Sequence, residues 1–247
     1  MRLGLLLRSL RLHGKPVPRG SVHVTGWEYY RKALENARPV ALLGLHAGVL
    51  ELLHRVPEAP PDRPFLILTA PAFAPALTAF MAKGRERDGK SVVWNRKPAG
   101  AARLPGFGLA SGLRSVVKSK GVLALMADQL PGPASETDYL YPWNRLRVPY
   151  PSRMLDFLVG NGFHILPVST SLRADGKSDF RFHAAWDPEA GPAGKDDLQT
   201  YLRAFLEQGI AQAPEQWNWS YPKIMAVGGL ASHAIGTANL AANGGKN

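Results

Sequence analysis

Val40-Ala-Leu-Leu-Gly-Leu-His46-Ala-Gly-Val-Leu-Glu51-Leu-Leu is the stretch that decides how this chain is read. Val40 to Leu45 is apolar and too short for a helix of its own, so it predicts a core strand. Gly44 and Gly48 flank His46 and let the backbone turn tightly around it. The expected local structure is strand, sharp turn, helix, with the histidine in the turn. Five residues of continuous helix rotate by about 140°, so His46 and Glu51 would not face each other on one helix. They meet if His46 sits in the turn and Glu51 lies one turn inside the helix. An imidazole held by a carboxylate is a general base of fixed tautomer. The plainer reading is a histidine that satisfies local hydrogen bonds at a helix start.

The rest of the chain alternates strands and helices around this unit. Upstream, Val22 to Val24 predicts a short strand and Trp27 to Asn36 a helix. Downstream, Phe65 to Thr69, Ser91 to Trp94 and Val122 to Ala127 predict strands. Pro75 to Arg87 and Gly108 to Lys120 predict the helices between them. Pro75 suits a first turn, and Gly121 reads as a C-terminal stop. Asp128 follows the Val122 strand, a common site position in α/β sheets; the plainer reading is a cap for the loop behind it. Leu130 to Pro151 reads as a long polar loop. Ser152 to Asn161 predicts a helix and His164 to Ser171 a strand. Asp175-Gly176 marks a hairpin turn into Phe180 to Trp186, and Asp196 to Gln212 predicts a long helix. The expectation is a single-domain α/β fold, a central mostly parallel sheet flanked by helices, closing in a hairpin. Residues 21–225 form that domain. Residues 1–20 form a basic amphipathic segment, with Leu3, Leu6, Leu7 and Leu10 on one face, which suits either a membrane interface or an ordinary core helix. Residues 226–247, rich in Gly, Ala and Asn, read as a flexible tail.

Composition narrows the chemistry. The 247 residues contain no cysteine, which excludes disulfides, thiolate nucleophiles and cysteine metal sites, and favours an intracellular chain. Thirty basic against nineteen acidic residues give a net charge of +11, which implies an anionic partner such as a phospholipid surface, a nucleic acid or a phosphorylated substrate. The basic residues are not interleaved with aromatics as a nucleic-acid stacking platform would be, so no nucleic acid is expected. No apolar run reaches a membrane span, and no signal peptide is read. His164 and His183 show no metal-ligand spacing, and no metal is expected.

Five blocks in order carry a family resemblance. They are His46-Ala-Gly-Val-Leu-Glu51, Lys83-Gly-Arg85-Glu-Arg87, Gly112 to Gln129 with its Lys120-Gly121 and Asp128, Ile165 to Gly176, and Ala213-Pro-Glu-Gln-Trp-Asn-Trp219. Together the chain resembles the bacterial lipid A biosynthesis (lauroyl/myristoyl) acyltransferases, within the wider H-x₄-D/E acyltransferase group. The His46 turn departs from many members in carrying Ala-Gly-Val-Leu. The related glycerolipid acyltransferases commonly add a Pro-Glu-Gly block, which is absent here.

The resemblance implies transfer of a fatty acyl chain from a thioester to a hydroxyl of a glycolipid or phosphoglycolipid, without a cofactor. The donor is acyl carrier protein or acyl-CoA, the acceptor a membrane lipid. The expected place is the cytoplasmic side of the inner membrane, peripheral on an anionic surface. On this reading His46 is the base and Glu51 its orienter, and backbone N–H groups at the following helix start hold the oxyanion. Arg85 and Asp128 are the substrate-binding candidates, Arg85 through a phosphate. Arg87, Arg96 and Arg103 read equally well as surface charge, and Trp217 and Trp219 as core or interface anchors. His54 is expected to be a satisfied helix histidine. The other readings are a glycerolipid or lysophospholipid acyltransferase and a catalytically silent anionic-lipid-binding protein.

Overall fold

The computed structural model describes residues 17–18, 20–70, 75–86, 89–94, 108–128, 138–186, 195–219 and 225–226. The expected N-terminal helix, Arg87, the loop with Arg96 and Arg103, and the tail beyond 226 lie outside the described residues. A seven-stranded sheet runs β1 (Val22–Thr25), β9 (Ser178–Phe182), β8 (His164–Leu172), β2 (Val40–Gly44), β5 (Val122–Met126), β3 (Phe65–Thr69) and β4 (Lys90–Trp94). Every neighbouring pair is parallel except the hairpin β8–β9. This is the mostly parallel α/β sheet that the sequence implied.

The sheet is buried on both faces, which is why its central strands are apolar at consecutive positions rather than alternately. In β2, Ala41 and Leu43 face one core and Val40 and Leu42 the other. In β5, Leu123 and Leu125 join the first, Val122 and Ala124 the second. The first core is closed by helices Leu109–Lys118, Ser152–Gly160 and Lys195–Gln212, through residues such as Val116, Leu158 and Leu202. The second is closed by helix Trp27–Glu35, where Tyr30 stacks on Phe182 with ring centroids 5.0 Å apart. Among the described residues no helix is long and apolar enough to cross a membrane.

Three local expectations are corrected. The helix after His46 is a single turn, Leu52–Arg55, and Glu51 stands at its N-terminal boundary instead of one turn inside. The supposed loop at 130–151 contains β6 (Tyr139–Leu140), a 3₁₀ turn at Pro142–Asn144 and β7 (Leu146–Pro149). With β10 (Met225–Ala226) these strands build a second, antiparallel sheet of three strands. Strands of two to four residues are too short for a period-2 signal, so the sequence did not show them. The third correction concerns helix Leu109–Lys118. Its C-terminal motif has Lys120 in the left-handed region at φ 52°, with Gly121 N–H donating to Val116 O at 2.8 Å and Lys120 N–H to Val117 O at 3.3 Å. Gly121 is needed for a different reason: a Cβ there would lie 2.3 Å from Pro64 O.

Adjacent substitutions should therefore move stability in opposite directions. Lys120→Gly relieves a left-handed side chain and should raise stability by up to about 1 kcal/mol. Gly121→Ala drives a methyl into the Pro64 carbonyl and should cost about 1–3 kcal/mol. Urea titration of both variants reads the signs. A destabilised Lys120→Gly together with a neutral Gly121→Ala would return the stop to Gly121.

Candidate active site

His46 and Asp128 meet because β2 and β5 pair in parallel register. Gly44 stands opposite Met126, and Ala127 N–H continues the ladder to Gly44 O at 2.8 Å. Each site residue lies two positions past that last pair, at the carboxyl ends of neighbouring strands. Asp128 Oδ1 is 2.8 Å from His46 Nδ1, and Asp128 Oδ2 accepts the His46 backbone N–H at 2.8 Å. Trp217 Nε1–H donates to the same Oδ2 at 2.9 Å. One carboxylate thus fixes both the ring and the backbone of the histidine.

Asp128 is 1% exposed. Burial alone would raise its pKa. The charge of the His46 ring, hydrogen bonds from that ring and from Trp217, and the His46 backbone N–H outweigh burial and hold the carboxyl below its ordinary range. An ionised carboxylate can only accept, so Nδ1 carries the proton and the Nε2 lone pair is left for chemistry. The His46 side chain keeps 16% of its exposure, so the ring is held from behind and still reachable.

The turn itself is locked by the segment after helix Lys195–Gln212. Ala47 bridges Trp217, Asn218 N–H donates to His46 O at 2.9 Å, and Gly48 N–H donates to Gln216 O at 3.2 Å. Gln216 is pinned in turn to the end of β8 by two hydrogen bonds with the Leu172 backbone. Gly48 has φ 62°, and a Cβ there would come 2.2 Å from Thr170 O. The Pro-Glu-Gln-Trp block is therefore part of the site's frame, and Trp217, read from the sequence as an anchor, is also a donor to Asp128. Trp219 remains 40% exposed.

Glu51 does not orient His46. Its carboxylate receives Arg85 Nη2 at 2.5 Å and Arg85 Nε at 3.2 Å, a two-pronged pair, and Arg85 Nη1 donates to Thr69 Oγ1 at 3.0 Å. Both Glu51 and Arg85 are buried. A guanidinium committed in this way has no fork to offer a phosphate, so the expected phosphate contact of Arg85 is also corrected. His54 Nδ1 lies 3.5 Å from Glu51 Oε2 without forming a hydrogen bond. Burial, and then the Arg85 charge, lower its pKa to about 4 against the pull of Glu51, so His54 is neutral near pH 7. Lys90 Nζ caps the same region on His54 O at 2.9 Å. Nor do the helix-start amides form an oxyanion site: those of Leu52, Leu53 and His54 donate to Val49, Leu50 and Glu51 carbonyls. Among the described residues no cluster of three acidic or histidine side chains offers a metal site.

Glu51 and Arg85 predict a stability phenotype. Glu51→Gln leaves a guanidinium buried without its carboxylate and should cost about 3–5 kcal/mol. Adding Arg85→Met removes the stranded charge and should recover part of the loss. Calorimetric Tm values of the two variants test this; a wild-type Tm in Glu51→Gln would mean that the pair holds nothing together.

Comparison with known proteins places these features. No curated protein sequence matches the chain. Among solved structures, the crystal structure of the 1-acyl-sn-glycerophosphate (LPA) acyltransferase PlsC from Thermotoga maritima is similar at 14% identity, covering 80% of this chain and 74% of that one, with a TM-score of 0.42. The family described as bacterial lipid A biosynthesis acyltransferase matches residues 17–224, which span every strand of the main sheet, the His46 turn, Asp128 and the Trp217 segment. The chain belongs to that family and is an acyltransferase of lipids.

Proposed function

We propose that the protein moves a fatty acyl chain from a thioester, on acyl carrier protein or coenzyme A, to a hydroxyl of a glycolipid or phosphoglycolipid, with His46 as general base. The observation that carries this reading is the Asp128 carboxylate on His46 Nδ1 at 2.8 Å. Nε2 takes the acceptor hydroxyl proton as the oxygen attacks the thioester carbonyl. Asp128 stabilises the imidazolium that forms and keeps the ring in one tautomer. When the tetrahedral intermediate collapses, the carbon–sulfur bond breaks and the imidazolium returns its proton to the leaving thiolate. Transfer is direct: the chain has no cysteine to carry the acyl group and no G-x-S-x-G elbow. Asp128, expected to bind substrate, is here the orienter that Glu51 was expected to be, and Glu51 acts at one remove by fixing the segment behind the turn.

His46→Ala should lower transfer by about 10²–10⁴ while the protein stays folded. Asp128→Asn should lose at least about 10², because its amide can present N–H to Nδ1 and favour the wrong tautomer. The double variant should be little worse than His46→Ala, since the two groups act as one unit. Single-turnover assays with a labelled acyl thioester and a host lipid extract give the rates, and mass spectrometry of the product names the acceptor. Full turnover in folded His46→Ala would end the mechanism.

The acceptor class and the net charge of +11 support peripheral work on an anionic membrane, at the cytoplasmic side of the inner membrane. Each basic group close to such a surface contributes about 1 kcal/mol. Co-sedimentation should show binding to phosphatidylglycerol-containing vesicles that weakens with salt, and little to phosphatidylcholine alone. Equal binding to both at low salt would remove the electrostatic attachment.

A further inference from the structure

The turn at Pro142–Asn144, at the tip of the hairpin of β6 and β7, holds a tryptophan in a backbone conformation that bulky side chains avoid. Trp143 has φ 49° and ψ 17°, and Asn144 has φ 55°. Arg145 N–H closes the turn on Pro142 O at 3.0 Å. Two left-handed residues in succession make a turn of the I′ kind, which asparagine and glycine favour. Asparagine stands at the second position, as that preference requires. At the first position the tryptophan Cβ crowds the following carbonyl, a strain that persists only where the surroundings enforce it.

Here the surroundings do enforce it. Trp143 N–H donates to Glu207 Oε1 at 2.7 Å, and Arg203, one turn earlier on helix Lys195–Gln212, lies 4.0 Å from the same oxygen. What this clamp secures is an outward indole. Trp143 is 43% exposed, and among the described residues its ring makes no hydrogen bond or ring contact. Trp219, the other exposed tryptophan among them, is instead tied by its N–H to Pro214 O and by its ring to Trp217.

The neighbours of the indole are cationic. Arg145 is exposed beside it and pairs with no carboxylate among the described residues. Trp143, Asn144, Arg145, Arg203 and Glu207 line an open hollow between the turn and the helix, two guanidiniums against one carboxylate already in use. An indole flanked by arginines suits the layer where lipid headgroups meet acyl chains: the ring takes the apolar side and the guanidiniums the phosphates. The same helix joins the turn to the site. Gly209, two residues past Glu207 and so on the opposite side of the helix, would put a Cβ 2.9 Å from Leu45 Cδ1, beside His46 in the chain. One helix diameter, about 10–12 Å, thus separates the hairpin tip from the strand leading to His46.

We propose that the Trp143 turn is an anchor in an anionic lipid surface, with the indole in the headgroup layer and Arg145 and Arg203 on lipid phosphates. This role rests on the reading of the protein as an acyltransferase that works at a membrane surface, and adds which element grips the bilayer. The left-handed backbone keeps the indole from folding back onto the protein, so its apolar face is left for the lipid. An anchor one helix away from the strand leading to His46 holds the site at the surface that carries the acceptor.

The test uses the full chain and mixed vesicles of phosphatidylglycerol and phosphatidylcholine. Trp143→Asn removes the indole and supplies a residue suited to the left-handed turn, so the variant should fold, and its affinity for the vesicles should fall about tenfold or more. Arg145→Ala should weaken binding about fivefold and flatten its dependence on salt. Arg153→Ala, the loss of an exposed arginine on helix Ser152–Gly160, should bind like wild type. Phosphatidylcholine brominated high in its acyl chains should quench the tryptophan fluorescence of the wild type, and that of Trp143→Phe clearly less, which reads the depth of the indole independently of affinity. The anchor is overturned if Trp143→Asn binds the vesicles as the wild type does, if bromolipid quenches wild type and Trp143→Phe equally, or if Arg153→Ala loses as much as Arg145→Ala, which would leave diffuse charge. It is also overturned if Trp143→Asn abolishes a concentration-dependent self-association and leaves vesicle binding intact, which would make the tip a contact between two copies of the chain. A chain that is anchored through Trp143 and never forms an acylated product would instead refute the acyltransferase reading, so the two failures are distinct.

Discussion

The carboxylate of Asp128 is the fixed point of this structure. It accepts three N–H groups, the ring and backbone of His46 and the indole of Trp217, and it does so from a position that excludes water. An ionised group in such a place is costly unless every lone pair is used. Here the acceptor stands at the end of β5, two of the donors belong to the turn after β2 and the third to the segment after the long helix. Satisfying one buried charge thus ties together the sheet's centre and the chain's closing block. In the proposed transfer the same bonds leave Nε2 basic and aimed outward, so structural cost and chemical use coincide in one group.

The acidic residue of the His46-x₄-Glu51 motif serves a different end. Glu51 begins a helix of a single turn and is gripped by Arg85 from the following helix, beside Thr69 on β3. Neutral His54 and the Lys90 ammonium complete a buried polar layer under the turn. The spacing of the motif is kept by this layer: four residues carry the chain from the His46 ring to the ion pair at the base of the turn. A short turn with a left-handed Gly48 has little stability of its own and needs fastening on both sides. The Gln216–Trp217 segment supplies one side and the Glu51–Arg85 pair the other.

Sequence patterns were most informative where both faces of an element are buried. Val40 to Leu45 and Val122 to Ala127 are continuous apolar runs because helices cover each side of the sheet, and their reading as strands needed no partner. The hairpin at Asp175-Gly176 was visible because its turn requires a left-handed residue, and Gly176 adopts φ 78°. The antiparallel sheet of β6, β7 and β10 was hidden, since strands of two to four residues are held by their neighbours and carry no period.

The amino-acid sequence by itself determined the α/β class, the strand that ends at His46, the strand that ends at Asp128 and the family to which both motifs belong. These depend on local burial and turn chemistry, which are written in consecutive residues. Which carboxylate meets the histidine was decided only by tertiary structure. Glu51 is near in sequence, but a one-turn helix and a buried guanidinium hold it away from the ring. Asp128 is 82 residues distant, and it arrives because β2 and β5 pair in parallel, in register, and stop two residues short of the site. Register is a property of two strands together, and neither strand alone specifies it.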